Sequence, residues 1–311
     1  MGLMAILDGT QNGPRGAGRR GGVIFAAGAW ALIKDTVTGF IDDNALSRGA
    51  SIAYYTLFSI APVLLIIVAI AGLAFGRDAA QGAIVDQLSG LMGQKAAEAL
   101  QDMIKSADDR SSGIVASIVG IVALIVTATG VFGEVQSAMN AIWKAKSRSS
   151  TFSRLVRARL ASLGLVLTCG FLLIVSLAVS AGLEALSKFL KGHFPGAELA
   201  LQVADFVIST ALISGLFAAI YKVLPDKPIA WRDVAIGALV TTVLFEGGKY
   251  LIALYIGHSN VASSYGAAGA LIVLLLWIYY TAQIFLLGAE FTCAYAHRYG
   301  SHANGEASVT P

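Results

Sequence analysis

The chain has 311 residues, 56% of them hydrophobic and only 13% charged, with a net charge of +3 and a mean hydropathy of +0.73. That balance excludes a soluble globular protein and predicts an all-α, polytopic membrane protein. Its two cysteines, Cys169 and Cys293, both fall inside expected membrane spans, so no structural disulfide is expected.

Residues 1–22 are rich in Gly and Arg and contain no apolar signal core, so they read as a disordered leader. In Val23–Ile41, Trp30, Ile33, Val37 and Phe40/Ile41 recur at helical spacing, which predicts an amphipathic helix lying on the cytoplasmic leaflet. The Asp42-Asp43-Asn44 cluster is expected to end that helix and cap the next.

A bilayer core of roughly 30 Å needs about 20 apolar residues as helix. No charge lies between Arg48 and Arg77, which places a first span near residues 52–75. Pro62 in its middle removes a backbone donor, so a kink and a candidate hinge are expected there. Gly72 and Gly76 form a GxxxG pair suited to close helix packing. The stretch Asp78–Asp109 repeats an amphipathic pattern through Ile84, Leu88, Leu100 and Met103. It predicts an extracytoplasmic helix between spans one and two.

Further spans are expected near residues 113–133, 160–183, 199–221, 234–256 and 269–294, giving six in one domain covering residues 23–299, with a disordered tail at 300–311. Helices are expected because hydrocarbon offers the backbone no other hydrogen-bond partner. A barrel would show short alternating segments instead. With this layout, fifteen Lys and Arg residues fall on the side of the termini and six on the other. The positive-inside rule then puts both termini in the cytoplasm.

The fifth span carries Glu246 and Lys249 near its centre, where each charge costs roughly 2.5–3.5 kcal/mol on insertion scales. Spaced i, i+3, they can meet on one face and offset part of that cost. Gly247 and Gly248 between them either admit a neighbouring helix or let the helix unwind, as at transporter sites, and so are candidate hinges. Three readings stay open: a functional polar site, a structural ion pair, or a misplaced span. Asp205 in span four and Gln283 in span six are candidates for the same substrate or ion path. Arg48, Glu134, Asn140 and Glu290 form a candidate polar cluster on the cytoplasmic side. Glu134 and Glu290 are expected to snorkel toward the interface or pair with the basic loop.

No catalytic constellation is present. The four histidines, His193, His258, His297 and His302, form no HExxH pattern, and neither a GxSxG elbow nor a phosphate loop occurs. No cofactor, metal or nucleic-acid partner is expected. The basic loop 144–159 fits anionic lipid headgroups. Small-residue faces on spans one, five and six suit either internal packing or a second copy of the chain.

Three stretches carry a family resemblance: ALSRGASIAYYTLFSIAPVLL at span one, EVQSAMNAIWKAK after span two, and SSYGAAGALIVLLLWIYYTAQIFLLGAEF at the last span. In this order they resemble the YihY/BrkB family of bacterial inner-membrane proteins, over roughly residues 25–300. The signatures cover Tyr54, Tyr55, Pro62, Asn140, Trp143, Tyr265, Gly266 and Glu290. The resemblance implies a six-span protein of the cell envelope. It further implies a transporter, exporter or flippase of lipidic or amphipathic molecules, or else a non-transporting envelope scaffold. The family has also carried the label ribonuclease BN, a transfer-RNA processing activity for which this sequence has no metal-ligand set. It brings no catalytic residues.

Overall fold

A computed structural model describes residues 17–92, 130–145, 197–258 and 267–303, with isolated positions at 94, 97–98, 100–102, 175, 179 and 182. Most of the second and third expected spans, the loop beyond residue 145 and the tail beyond residue 303 lie outside the described residues. All regular structure among the described residues is helical. The helices are α1 (Ala17–Asp42), α2 (Ala45–Phe75), α3 (Arg77–Met92), α4 (130–142), α5 (Ala197–Val223), α6 (Trp231–His258) and α7 (Ala267–Arg298). Three stretches, Leu201–Val223, Trp231–Ile252 and Leu271–Arg298, are long and apolar enough to cross a membrane. They coincide with the fourth, fifth and sixth expected spans.

The central element is α7. At 1.5 Å per residue its 32 residues reach about 48 Å, and it packs against α6, α2 and α1. Glycines on those neighbours make the approach close. Gly28 and Gly39 of α1 meet Tyr299 and Glu290, Gly49 of α2 meets Gln283, and Gly237 of α6 meets Thr292. The order of these pairs, with Gly248 of α6 meeting Ile284, makes α1 and α6 antiparallel to α7. Large side chains fill the space further in. Tyr221 is fully buried among Phe217, Phe245 and Phe285, and its hydroxyl donates to the Phe285 carbonyl at 2.8 Å. A methyl at Gly237 would collide with the Thr292 side chain, whereas one at Gly247 would meet nothing. Gly237→Val is therefore expected to cost roughly 1–3 kcal/mol by overpacking. Gly247→Ala should gain up to about 1 kcal/mol of helix propensity. Thermal unfolding of the purified protein in detergent would separate the two.

In α1 the apolar residues of the expected amphipathic pattern divide: Phe40 packs against the core, and the others are exposed. Thr36 is buried and Asp35 pairs with Arg298 at 3.1 Å, while Trp30, Ile33, Val37 and Ile41 are exposed as one outward stripe. The Asp42-Asp43-Asn44 cluster ends α1 as expected but does not cap α2 through its side chains. Asn44 takes a left-handed conformation (φ 54°) with no side-chain cap bond; its amide donates to the Asp42 carbonyl at 3.5 Å, and Asp43 binds Lys144.

Helix α2 is continuous through Pro62. The GxxxG expectation is corrected at Gly76: with φ 84° it forms the α2–α3 turn, bonded to the Gly72 carbonyl at 3.0 Å, and nothing lies within 4 Å of where its Cβ would be. Only glycine enters that conformation without strain. The turn lays α3 back on α2, where Ile84 is buried with Leu64 and Val68. Leu100 joins the same cluster while Asp86, Glu98 and Asp102 face outward.

Candidate functional site

Two polar arrangements lie within this apolar bundle. The first is on α6. Lys249 Nζ and Glu246 Oε2 are 2.5 Å apart, with side chains only 20% and 18% exposed. The helix does not unwind at Gly247 and Gly248: α6 is unbroken from Trp231 to His258. Gly248 instead admits Tyr280 and Ile284 of α7, and Gly247 faces open space, so the hinge expectation gives way to helix packing at Gly248. One turn before Glu246, Thr242 receives the hydroxyl of Ser214 from α5 at 2.9 Å and itself donates to the Ala238 carbonyl. Residues 242, 246 and 249 share one side of a helix (i, i+4, i+7). The ion pair thus continues a polar stripe on the face of α6 turned toward α5.

The structure divides the residues proposed to line one path. Gln283 lies over Gly49 of α2 and donates to the Leu46 carbonyl at 3.4 Å, leaving its buried Oε1 without a partner among the described residues. Gly248 of α6 meets positions 280 and 284 of α7, so position 283 is level with the ion pair but on another face of α7. Asp205 belongs to α5, and its side chain lies outside the described residues.

The second arrangement gathers around the C-terminal end of α4. Its chain turns through Lys144 in a left-handed conformation (φ 47°), with Ala145 N bonded to the Asn140 carbonyl and Lys144 N to the Ala141 carbonyl. This is the Schellman arrangement, whose left-handed position glycine usually fills. A lysine there stores strain of order 1–2 kcal/mol. Lys144 Nζ reaches Asp43 Oδ1 at 2.6 Å. That bond holds the ammonium above the ordinary lysine value, against partial desolvation.

Asn140 makes a two-way bond with the α5–α6 loop: its amide donates to Asp226 Oδ2 at 2.9 Å, and Asp226 N donates to its carbonyl oxygen at 2.8 Å. Lys227 Nζ donates to the Trp143 carbonyl at 3.3 Å and sits over the Trp143 ring. Trp143 is fully buried, beside His297 and His302, and its indole Nε1 has no acceptor among the described residues. Burial, with Lys227 and His297 nearby, holds His302 below the ordinary histidine value. The buried Asp233, in the first turn of α6, accepts both Ser301 N at 2.9 Å and its hydroxyl at 2.6 Å, tying the end of α7 to the start of α6.

The four residues expected to form a polar cluster on this side are partly reunited. Arg48 donates to the Asp43 carbonyl at 2.8 Å and to Ser137 at 3.4 Å, bonding to a carbonyl and a hydroxyl where a carboxylate was expected. Asn140 is bound as above. Glu134 is half-buried, with no hydrogen bond among the described residues. Glu290 does not snorkel: it is 4% exposed, and its Oε2 lies where Gly39 leaves room for it. Sequence reasoning missed Asp43, Asp226, Lys227 and Trp143 as parts of this junction. Only the adjacency of Trp143 to Lys144 and of Asp226 to Lys227 hinted at polar anchoring. Among the described residues no group of three His, Cys, Asp or Glu is placed to hold a metal ion.

Comparison with known proteins agrees with the three signature stretches, which form α2, α4 and α7. A UPF0761 membrane protein of Alteromonas mediterranea is 29% identical over 272 residues, 84% of this chain and 88% of that one. A UPF0761 membrane protein of Pseudomonas paraeruginosa is 29% identical over 260 residues, covering 82% of this chain and 60% of its own length. One from Psychrobacter is 30% identical over 265 residues, 84% of this chain and 47% of the relative. The chain therefore spans only about half to three fifths of the longer relatives. No solved structure matches. The family model described as Virulence factor BrkB matches residues 36–310, and the chain belongs to that family of membrane proteins.

Proposed function

We propose that the protein is a transporter of the bacterial inner membrane, an exporter or flippase for a lipidic or amphipathic molecule, with both termini cytoplasmic. The observation that carries this reading is the Glu246–Lys249 pair, kept in the interior of an apolar helix and continued by Thr242 and Ser214 in the α5–α6 interface. Charges at such depth are costly and mark substrate or ion pathways more often than not. The outward stripe of α1 and the exposed Lys144 support contact with the cytoplasmic leaflet and its anionic headgroups. The relatives are named as membrane proteins, and we read this chain as non-enzymatic.

A non-transporting scaffold is the second reading. Its support is that both charges belong to one unbroken helix and neutralise each other with no partner from another helix among the described residues.

The test is reconstitution into liposomes with a fluorescent phospholipid, measuring exchange between leaflets by dithionite quenching. Exchange is expected in the wild type and is expected to vanish in Glu246→Gln at equal insertion. No exchange in either protein would remove lipid translocation and favour the scaffold.

A further inference from the structure

Glu246 stands at the edge of the α5–α6 seam. At 3.6 residues per turn, Thr242 and Lys249 fall on its seam side, while Leu239, Val243 and Tyr250 fall on its other side. Those three are each more than half exposed, and next to them nothing lies within 4 Å of where a Cβ on Gly247 would be. An open apolar strip of α6 therefore borders the ion pair and gives sideways access to it.

The polar groups along the seam are ordered by what they can still bond. Thr242 has used its hydroxyl proton on the Ala238 carbonyl at 2.8 Å, and Ser214 has used its own on Thr242 at 2.9 Å. Both oxygens have only lone pairs left to offer, and the Glu246 carboxylate also only accepts. Lys249 lies 2.5 Å from Glu246 Oε2, further along α6, and supplies three N–H donors. Acceptors at 214, 242 and 246 are thus followed by donors at 249.

A singly charged ligand would upset this balance. A cation on Glu246 leaves Lys249 alone in an apolar interior, and an anion on Lys249 does the same to Glu246. A ligand that carries both charges exchanges one ion pair for two. The kind of cation also matters. A primary ammonium brings N–H groups for Glu246, Thr242 and Ser214, whereas a quaternary ammonium has none and is held by aromatic faces. Among the described residues the ring against this pair is that of Tyr250, and it lies 5.5 Å from Lys249 Nζ, at the end where an anion binds.

Resting on the reading of this seam as a transport site, we propose that its substrate is a membrane lipid whose headgroup carries a phosphate and a primary ammonium. The phosphate pairs with Lys249, and the ammonium with Glu246, Thr242 and Ser214. The acyl chains lie along Leu239, Val243 and Tyr250. When the headgroup leaves, Glu246 and Lys249 pair again.

Titrating the full chain in detergent with phosphatidylethanolamine, phosphatidylcholine and phosphatidylglycerol of identical acyl chains reads this preference without transport. Phosphatidylethanolamine should raise Tm at a concentration about tenfold below that of the other two. The difference should vanish in the double variant Glu246→Ala with Lys249→Ala, which leaves no charge unpaired. Equal concentrations for the three lipids in the wild type would overturn the proposal, as would a preference that survives in the double variant. Equal stabilisation by glycerophosphoethanolamine, a headgroup without chains, would overturn the lipid and mark a soluble solute. Acyl-labelled forms of the same lipids in the dithionite assay keep the two readings apart. Preferred binding without exchange of any lipid removes transport and leaves the headgroup site standing. Exchange of all three at one rate, with no preference in binding, keeps transport and removes the headgroup assignment.

Discussion

Trp143→Ala is expected to lower the unfolding free energy by roughly 3–5 kcal/mol, in the range for truncating a buried aromatic side chain. Trp143 is completely buried, and the rings of His297 and His302 and the Lys227 ammonium all lie against it. Its removal leaves a cavity where α4, the α5–α6 loop and the end of α7 converge. The indole N–H has no acceptor among the described residues, so its polar group contributes little. Trp143→Phe should consequently lose only about 1–2 kcal/mol, since it retains most of the packing and discards an unsatisfied donor. The check is chemical or thermal unfolding of the detergent-solubilised protein, wild type against both variants. Equal losses in the two would mean that the N–H has a partner.

Glu246→Ala should be the most damaging change within the described spans, at about 3–5 kcal/mol, because it leaves Lys249 an uncompensated charge. Lys249 is only one-fifth exposed, and among the described residues its other charge contact is the Tyr250 ring, 5.5 Å from Nζ. Adding Lys249→Ala should restore much of the loss, since an apolar helix face needs no partner. Unfolding of the two single variants and the double variant gives the coupling directly. Stability recovered in the double variant with transport still absent would separate the functional role of the pair from its structural one.

The last three spans and the Glu246–Lys249 contact were legible because they depend on local information. Long charge-free runs set the spans, and an i, i+3 spacing brings two side chains together whatever surrounds the helix. Gly76 was misread because one motif has two uses: a small residue at helical spacing also serves as the glycine that ends a helix, and only the backbone angle decides. Glu290 was misread for a related reason. Its position near a helix end suggests access to water, but its direction around α7 depends on Gly39, some 250 residues earlier in the chain. The Asn140–Asp226 bond spans 86 residues and joins two short polar segments with no periodic signal. Gln283 lies level with the ion pair but on another face of α7, because sequence gives a residue's height along a helix more readily than its rotation.

The position of α7 has a consequence for how the protein is made. It is the last of the described helices to leave the ribosome, yet α1, α2 and α6 all pack on it. Until it arrives, the notches at Gly39, Gly49 and Gly237 have nothing to receive. The earlier helices can insert and form their own pairs, α2 with α3 and α5 with α6, but their assembly waits on α7. A nascent chain arrested before Ala267 would hold inserted yet unassembled helices, exposed to the proteases that clear orphaned membrane segments. Quality control of this protein would then read, above all, whether α7 has arrived.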